Sequence, residues 1–191
     1  MPWERRRATV HRDSGVVAVE TVFVSMLLVV LLFGIVESSF LFKDYLSVSA
    51  ATRAGARMGA SQPRNSGSPD FAQLSANQVT NSITDLNPAN LQQVWVYQSD
   101  PATNKPIGFT DFSNCSVCVK FAWSAGKLTP TGGTTWAATS QNACPGDPLR
   151  VSLGVYIQYK HSSPLGFFFK NLIVSQSTVM WVEPTTAPIC K

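Results

Sequence analysis

The chain has 191 residues, of which 45% are hydrophobic and 14% charged, and its formal net charge is +4. A usual charged share is about 25%, and this low value, with five Trp and eleven Phe, excludes a wholly disordered chain. Four of the fifteen basic residues fall in the first twelve positions, so the excess positive charge is a local tail and not a nucleic-acid-binding face.

An apolar run near the start predicts one transmembrane helix, at residues 16–42, after a basic leader at residues 1–15. The run of 27 residues contains only two charges, Glu20 and Glu37. As a helix it would extend about 40 Å, which exceeds the roughly 30 Å of a bilayer core. The uncharged stretch between the glutamates would extend only about 24 Å, so at least one glutamate must lie at or inside the membrane boundary. We expect Glu37 to be an ordinary residue of the outer interface.

Charges on either side of the run favour a cytoplasmic N-terminus. The leader carries four Arg, against Lys43, Arg53 and Arg57 on the far side. All four cysteines lie beyond the helix, where an extracytoplasmic location would let disulfides persist. The apolar core is longer than that of an ordinary signal peptide. The predicted product is a single-pass cell membrane protein with an extracytoplasmic C-terminal domain.

The start of the predicted helix resembles the cleavage region of type IV prepilins. Gly15 precedes the apolar run, and Glu20 follows it by five residues. In prepilins a membrane peptidase cuts after this glycine. The resemblance therefore implies a processing site between Gly15 and Val16, with Glu20 as the fifth residue of the mature chain.

Three downstream segments, residues 34–37, 50–57 and 177–184, resemble the TadE-like family of tight-adherence pilus proteins. The main pilins of that system usually carry Tyr after the glutamate, whereas this chain has Thr21. The resemblance implies a minor pilin-like protein involved in pilus assembly, either kept in the membrane or built into the fibre. Implied partners are the membrane, other pilins and minor pilins, the prepilin peptidase and the assembly platform. No nucleic acid, small-molecule substrate or cofactor is expected.

Glu20 has a physical role to play in such an assembly. A carboxylate at membrane depth costs about 2.5–3.5 kcal/mol, so it needs a partner. After cleavage, the new amine of Val16 on a neighbouring subunit could lie beside it and set the axial register of packed helices. A pair about 4 Å apart is worth roughly 4 kcal/mol before desolvation is subtracted. The alternative is that Glu20 only touches the headgroup boundary.

A juxtamembrane extension of the helix is predicted at residues 43–61, followed by a linker at residues 62–69. Small residues recur there every four positions, which places them on one side of a helix and allows close approach by another element. They predict a packing face, either for other pilins or for the protein's own sheet, although an ordinary Ala-rich helix is equally compatible. These residues are Ser47, Ala51, Gly55 and Gly59.

An α+β extracytoplasmic domain is predicted at residues 70–191. Asp70 is a candidate N-cap for a short helix over Phe71–Leu86. Alternating apolar residues then predict a four-stranded antiparallel sheet with that helix on one side. The strands are expected at residues 94–97, 117–123, 151–159 and 172–182. An apolar loop, residues 165–170, is expected to pack locally or in the core, with an exposed contact patch as the alternative.

The cysteines are predicted to form structural disulfides and not a metal or redox site, because the compartment is oxidising and their number is even. Sequence does not choose among the three possible pairings, although a C-terminal tail tied down by Cys190 is favoured. The four disulfide candidates are Cys115, Cys118, Cys144 and Cys190.

No catalytic motif supports an enzyme, so we expect a non-enzymatic protein with no cofactor. A nucleophile elbow, a phosphate loop and a metalloprotease motif are all missing from the sequence. The acidic residues of the outer domain fall beside turns, which solvated positions explain better than paired carboxylates do. Two alternatives remain: an unprocessed, membrane-anchored binding module, and an anchored enzyme that would depend on His161.

Overall fold

The computed structural model describes residues 14–62, 70–133 and 136–184. It contains two α-helices and one five-stranded sheet, with two short 3-10 turns between them. Most of the predicted leader, most of the linker and Cys190 lie outside the described residues. The elements are α1 (Ser14–Ala60), α2 (Phe71–Ser82), β1 (Leu91–Ser99), β2 (Cys118–Ser124), β3 (Lys127–Gly133), β4 (Ser152–Lys160) and β5 (Ile173–Trp181).

The first helix is continuous from the apolar run into the outer domain. α1 has 47 residues, which corresponds to a length of about 70 Å. The predicted transmembrane helix and its juxtamembrane extension are therefore one element. Only the second half of α1 carries buried residues.

The sheet is antiparallel throughout, with the strand order β3-β2-β1-β4-β5. The prediction of four strands was wrong by one, because β3 was missed. This edge strand has the sequence KLTPTGG, and only Leu128 is buried in it. It lacks apolar alternation and contains a proline, which is tolerated at an edge. Ala125 and Gly126, both with positive φ, join it to β2 in the manner of a type I′ hairpin.

The predicted N-cap of the short helix is confirmed. The Asp70 side chain accepts hydrogen bonds from the backbone N–H groups of Ala72 and Gln73, at 3.0 and 3.3 Å. The helix ends at Ser82, four residues before the predicted end, because the N–H of Ile83 turns back to the Thr80 carbonyl. Ile83 and Leu86 are nevertheless buried, so the apolar pattern reported their burial correctly and their conformation wrongly.

The two faces of the sheet are covered differently. Alternate residues of β1, Val94 and Val96, join the main core, which α1 and α2 cover. Trp95 and Tyr97 point to the opposite face and pack with Tyr156 and the disulfide-bonded Cys118. The predicted arrangement, an antiparallel sheet with helix packed on one side, is confirmed.

Candidate functional site

Residues 16–32 of α1 do not pack against the other described elements. Every side chain from Val16 to Leu32 is exposed, and nearly all of them are apolar. Within the described ranges, α1 alone is long and apolar enough to cross a membrane. A soluble domain does not expose a continuous apolar surface of this size. The helix therefore indicates a membrane anchor.

The polar side chains in this half of the helix differ in whether they have a hydrogen-bond partner. The hydroxyls of Thr21 and Ser25 donate to the backbone carbonyls of Val17 and Val22, at 2.8 and 2.9 Å. Such bonds satisfy a hydroxyl inside its own helix. Glu20 is exposed, and among the described residues it forms no hydrogen bond or salt bridge. Its carboxylate is thus open to a partner from another molecule.

Gly15 and Val16 lie at the beginning of α1. Gly15 is the second residue of the helix, and a Cβ atom added to it would meet no other atom within 4 Å. Val16 is 69% exposed. Glu20 lies five positions after Gly15, which corresponds to about 7.5 Å along the helix axis. None of the described residues therefore covers the peptide bond between Gly15 and Val16.

Glu37 lies at the other end of the apolar surface and is fully buried. Oε1 accepts hydrogen bonds from the Ser163 hydroxyl at 2.7 Å and from the Phe167 N–H at 2.8 Å. Oε2 accepts from the N–H groups of Phe168 and Phe169, at 2.7 and 3.3 Å. We call these four donors and the carboxylate the Glu37 clamp.

The clamp corrects the expectation that Glu37 is an ordinary interface residue. Its carboxylate is removed from solvent and is satisfied by the segment between β4 and β5, which we call the aromatic loop (residues 163–170). Gly166 has a φ of 66°, a left-handed conformation that suits glycine and turns the successive N–H groups toward the acid. The site could not be recognised from the sequence, because most of its donors are backbone N–H groups, which any residue type other than proline can supply.

The aromatic loop does not belong to the core. Phe167 and Phe168 are 69% and 52% exposed, so the expectation of core packing was wrong for both side chains. Local packing does occur, because the Phe167 ring stacks on Phe33 of α1 with a centroid distance of 5.6 Å. The loop thus rests against the helix at the level where the exposed apolar surface ends.

A second side-chain contact ties the same region together. His161, just after β4, is 1% exposed, and its Nδ1 lies 2.6 Å from Oδ2 of Asp44 on α1. Asp44 is largely buried too, with its side chain 15% exposed. Two turns of helix separate Asp44 from Glu37, so two acidic residues of α1 contact the same edge of the domain. Neither partnership was foreseen from the sequence.

The predicted ridge of small residues faces the chain's own domain. A Cβ at Gly55 would lie 2.6 Å from Val79 of α2, and a Cβ at Gly59 would lie 3.1 Å from Leu153 of β4. The Ser75 hydroxyl of α2 donates to the Gly55 carbonyl at 2.8 Å. Ala51 is fully buried and Ser47 is half-buried. The small side chains therefore allow close packing of α1 on α2 and the sheet.

The cysteines form disulfides where the structure describes them. Cys115 and Cys118 are joined to each other, and Cys144 is also disulfide-bonded. Cys190 lies outside the described residues. The first of these bonds closes a loop beside the aromatic cluster on the sheet face opposite the helices. Both cysteines of this disulfide are buried, as is typical of a structural and not a reactive disulfide.

The described residues offer little chemistry for catalysis. They contain no group of three or more His, Cys, Asp or Glu side chains able to hold a metal ion. The carboxylates of Asp111 and Asp147 lie in turns and accept hydrogen bonds from Ser113 and from Leu149, which lower the pKa of each group. His161, the histidine considered for an enzyme, is 1% exposed and contacts Asp44.

Comparisons with known proteins bear on the helix and not on the outer domain. No curated protein and no solved structure significantly matches the chain. A family model described as TadE-like protein matches residues 15–57. This range begins at Gly15 and covers the exposed surface, Glu20, the Glu37 position and Gly55. The resemblance to the TadE-like family that was inferred from the sequence is therefore confirmed over this segment, which lies within α1.

Proposed function

We propose that this chain is a minor pilin-like (pseudopilin) component that takes part in assembling a tight-adherence type IV pilus. The observation that carries the proposal is the exposed, largely apolar half of α1, in which Glu20 has no partner among the described residues. A helix of this kind requires lipid or other helices around it. The TadE-like match over the same residues favours pilin helices as the eventual neighbours.

In the proposed sequence of events, α1 first anchors the chain with the N-terminus in the cytoplasm and the domain outside. The prepilin peptidase then cuts between Gly15 and Val16, and the new amine joins the surface that packs against sister helices. Glu20 pairs with the Val16 amine of a neighbour and sets the register. The work is done by helix packing and not by bond chemistry.

In this proposal the small-residue ridge does not serve as a contact surface for other subunits. Because Gly55 and Gly59 pack against α2 and β4, we propose that the ridge fixes the domain on its own helix. The surface available to sister subunits is then the exposed half of α1, from Val16 to Leu32. The disulfides of Cys115, Cys118 and Cys144 would keep the exported domain folded.

Processing is tested by expressing the full chain in cells that contain the tight-adherence machinery and measuring the intact mass. We expect the mature form to begin at Val16. Gly15→Leu should block cleavage while leaving the helix intact, because none of the described residues packs against Gly15. An intact leader in the presence of an active peptidase would instead favour the second candidate, an unprocessed membrane-anchored binding module.

The register role is tested with Glu20→Gln, which keeps the shape of the side chain and removes its charge. Membrane insertion should survive, since the change makes the helix less polar. Incorporation into fibres, or fibre number, should fall. Ser25→Ala is the matched control, because Ser25 is exposed on the same half of α1 and bonds only its own backbone. Normal fibres with Glu20→Gln would remove the register role.

A further inference from the structure

We propose that the aromatic loop is a second membrane contact, immersed in the lipid leaflet on the domain side of the bilayer. The loop contacts lipid, specifically the acyl region just below the headgroups. The proposal relies on the membrane-anchor role of α1 and not on processing, fibre formation or the pilus.

The height of the loop on the helix is the first argument. Phe167 stacks on Phe33, and the Phe168 ring lies 4.0 Å from where a Cβ of Gly34 would be. Counted from Val16, Phe33 is about 26 Å along the helix axis, within the roughly 30 Å of a bilayer core. Side chains that touch Phe33 from outside the helix are therefore at membrane depth.

The surface chemistry of the loop is the second argument. Its exposed large side chains are apolar apart from Lys170, and the apolar patch extends into the start of β5. Residues 162–173 include no acidic residue, and the exposed Lys170 follows the phenylalanines directly. A lysine in this position can reach lipid phosphates while its stem stays apolar. The apolar members of the patch are Leu165, Phe167, Phe168, Leu172 and Ile173.

The backbone of the loop supplies the third argument. Irregular backbone is excluded from the apolar part of a membrane unless its polar groups find partners in the protein. Glu37 accepts from the N–H groups of Phe167, Phe168 and Phe169, and the Ser163 hydroxyl accepts from that of Gly166 at 3.0 Å. Four consecutive donors are thus satisfied without water. The clamp both buries an acid and makes the loop compatible with lipid.

Lipid also fits the open space beside the loop. A groove of about 910 Å³ runs between the helix and the phenylalanines, lined by Val30, Leu31, Gly34, Phe168 and other largely apolar neighbours. Val30 and Leu31 of its lining belong to the exposed apolar surface of α1, so the groove opens beside that surface. The aromatic loop therefore lies in the same lipid that surrounds the anchor.

The test places a nitroxide spin label on the loop in full-length protein. Phe167→Cys is labelled, and the protein is reconstituted into vesicles of phosphatidylcholine and phosphatidylglycerol. The native cysteines that the structure describes are disulfide-bonded, so they do not compete for the reagent. Collision with oxygen, which concentrates in lipid, is compared with collision with a water-soluble nickel chelate. Phe168→Cys provides a second position, and Leu149→Cys provides the control, since Leu149 is 77% exposed near the opposite end of β4.

We expect labels at positions 167 and 168 to collide more often with oxygen than with the nickel chelate, and the label at position 149 to show the reverse. Nickel accessibility at 167 and 168 equal to that at 149 would overturn the proposal. Exclusion of both reagents, with dipolar broadening that disappears when unlabelled protein is added, would show that a second copy covers the loop and would also overturn it. Each result is independent of cleavage at Gly15.

Discussion

Glu37 on α1 accepts a hydrogen bond from the backbone N–H of Phe168 at 2.7 Å, although the two residues are 131 positions apart in the chain. The bond connects the apolar anchor to the aromatic loop of the outer domain. Glu20, 17 residues earlier on the same helix, has no such partner among the described residues. The two acids of the apolar run therefore differ in kind: one is satisfied within the chain, and the other is available to a neighbour.

Glu37→Ala should release the aromatic loop. The substitution removes both acceptor oxygens and leaves three backbone N–H groups without partners, and hydrogen bonds to a carboxylate are among the stronger ones in proteins. We expect amide hydrogen exchange at Phe167, Phe168 and Phe169 to accelerate by roughly tenfold or more, while exchange in β1 is unchanged. Glu20→Ala, a change of the same type on the same helix, should leave the loop amides as they are. Equal protection in both variants would contradict the clamp.

Asp44 and His161 should stabilise the fold as a pair. Asp44→Ala leaves the buried His161 Nδ1 without its partner, which we expect to cost about 1–3 kcal/mol of unfolding free energy. His161→Ala should cost a similar amount, and the double variant less than the sum of the two, with a coupling of about 0.5–3 kcal/mol. Chemical denaturation in detergent measures all three.

The control for this cycle is Lys43→Ala. Lys43 is the neighbour of Asp44, and it only donates one exposed hydrogen bond to the Asp85 carbonyl, at 3.3 Å. Its loss should change the free energy of unfolding by no more than about 0.5 kcal/mol. Strict additivity of Asp44→Ala and His161→Ala would show that the two side chains do not interact in solution.

Gly55→Val should destabilise the contact between the two helices. Even a Cβ at this position would approach Val79 to 2.6 Å and the Ser75 carbonyl oxygen to 3.3 Å. Overpacking of this kind costs about 1–3 kcal/mol. Ala50→Val provides the control, because Ala50 is exposed on the same helix and only its helix propensity changes, by about 0.5 kcal/mol. Equal stability of the two variants would mean that α2 can move aside.

Tyr97 should make the domain sensitive to alkaline conditions. Burial raises the pKa of its hydroxyl well above the usual value, and the hydroxyl donates to the Asn104 carbonyl at 3.0 Å. Since the folded state favours the neutral phenol, this contribution is complete below the unfolded pKa of about 10 and is lost as the pH rises above it, by up to about 1.4 kcal/mol per pH unit. Tyr97→Phe should flatten the alkaline side of the stability profile. An unchanged slope would contradict this assignment.

Local patterns in the sequence were enough to predict most of the elements. The apolar run required a long helix, Asp70 gave the N-terminus of α2, and alternation gave β4 within one residue at each end. The β3 strand was not predictable in this way, because it is an edge strand whose side chains are mostly exposed. Its pairing with β2 depends on the Ala125–Gly126 turn and on backbone hydrogen bonds, to which KLTPTGG contributes no periodic signal.

The candidate site was only half visible from the sequence. Gly15, Val16 and Glu20 are close in the chain, so their spacing could be read directly. The Glu37 clamp joins residues that are distant in sequence, and three of its four donors are backbone groups. One signal was present: a charge within an apolar helix needs a partner. That reasoning was applied to Glu20, and applied equally to Glu37 it would have called for donors elsewhere in the chain.

The unbroken course of α1 has a mechanical consequence. The helix runs from the exposed apolar half into the packed core without a hinge, and Glu37, Asp44 and Gly55 attach it to the domain at successive heights. Tension applied to the membrane-anchored half of α1 therefore reaches the outer domain through several attachments at once. No flexible segment of α1 stretches first. A molecule built in this way transmits displacement at its base directly to its outer end.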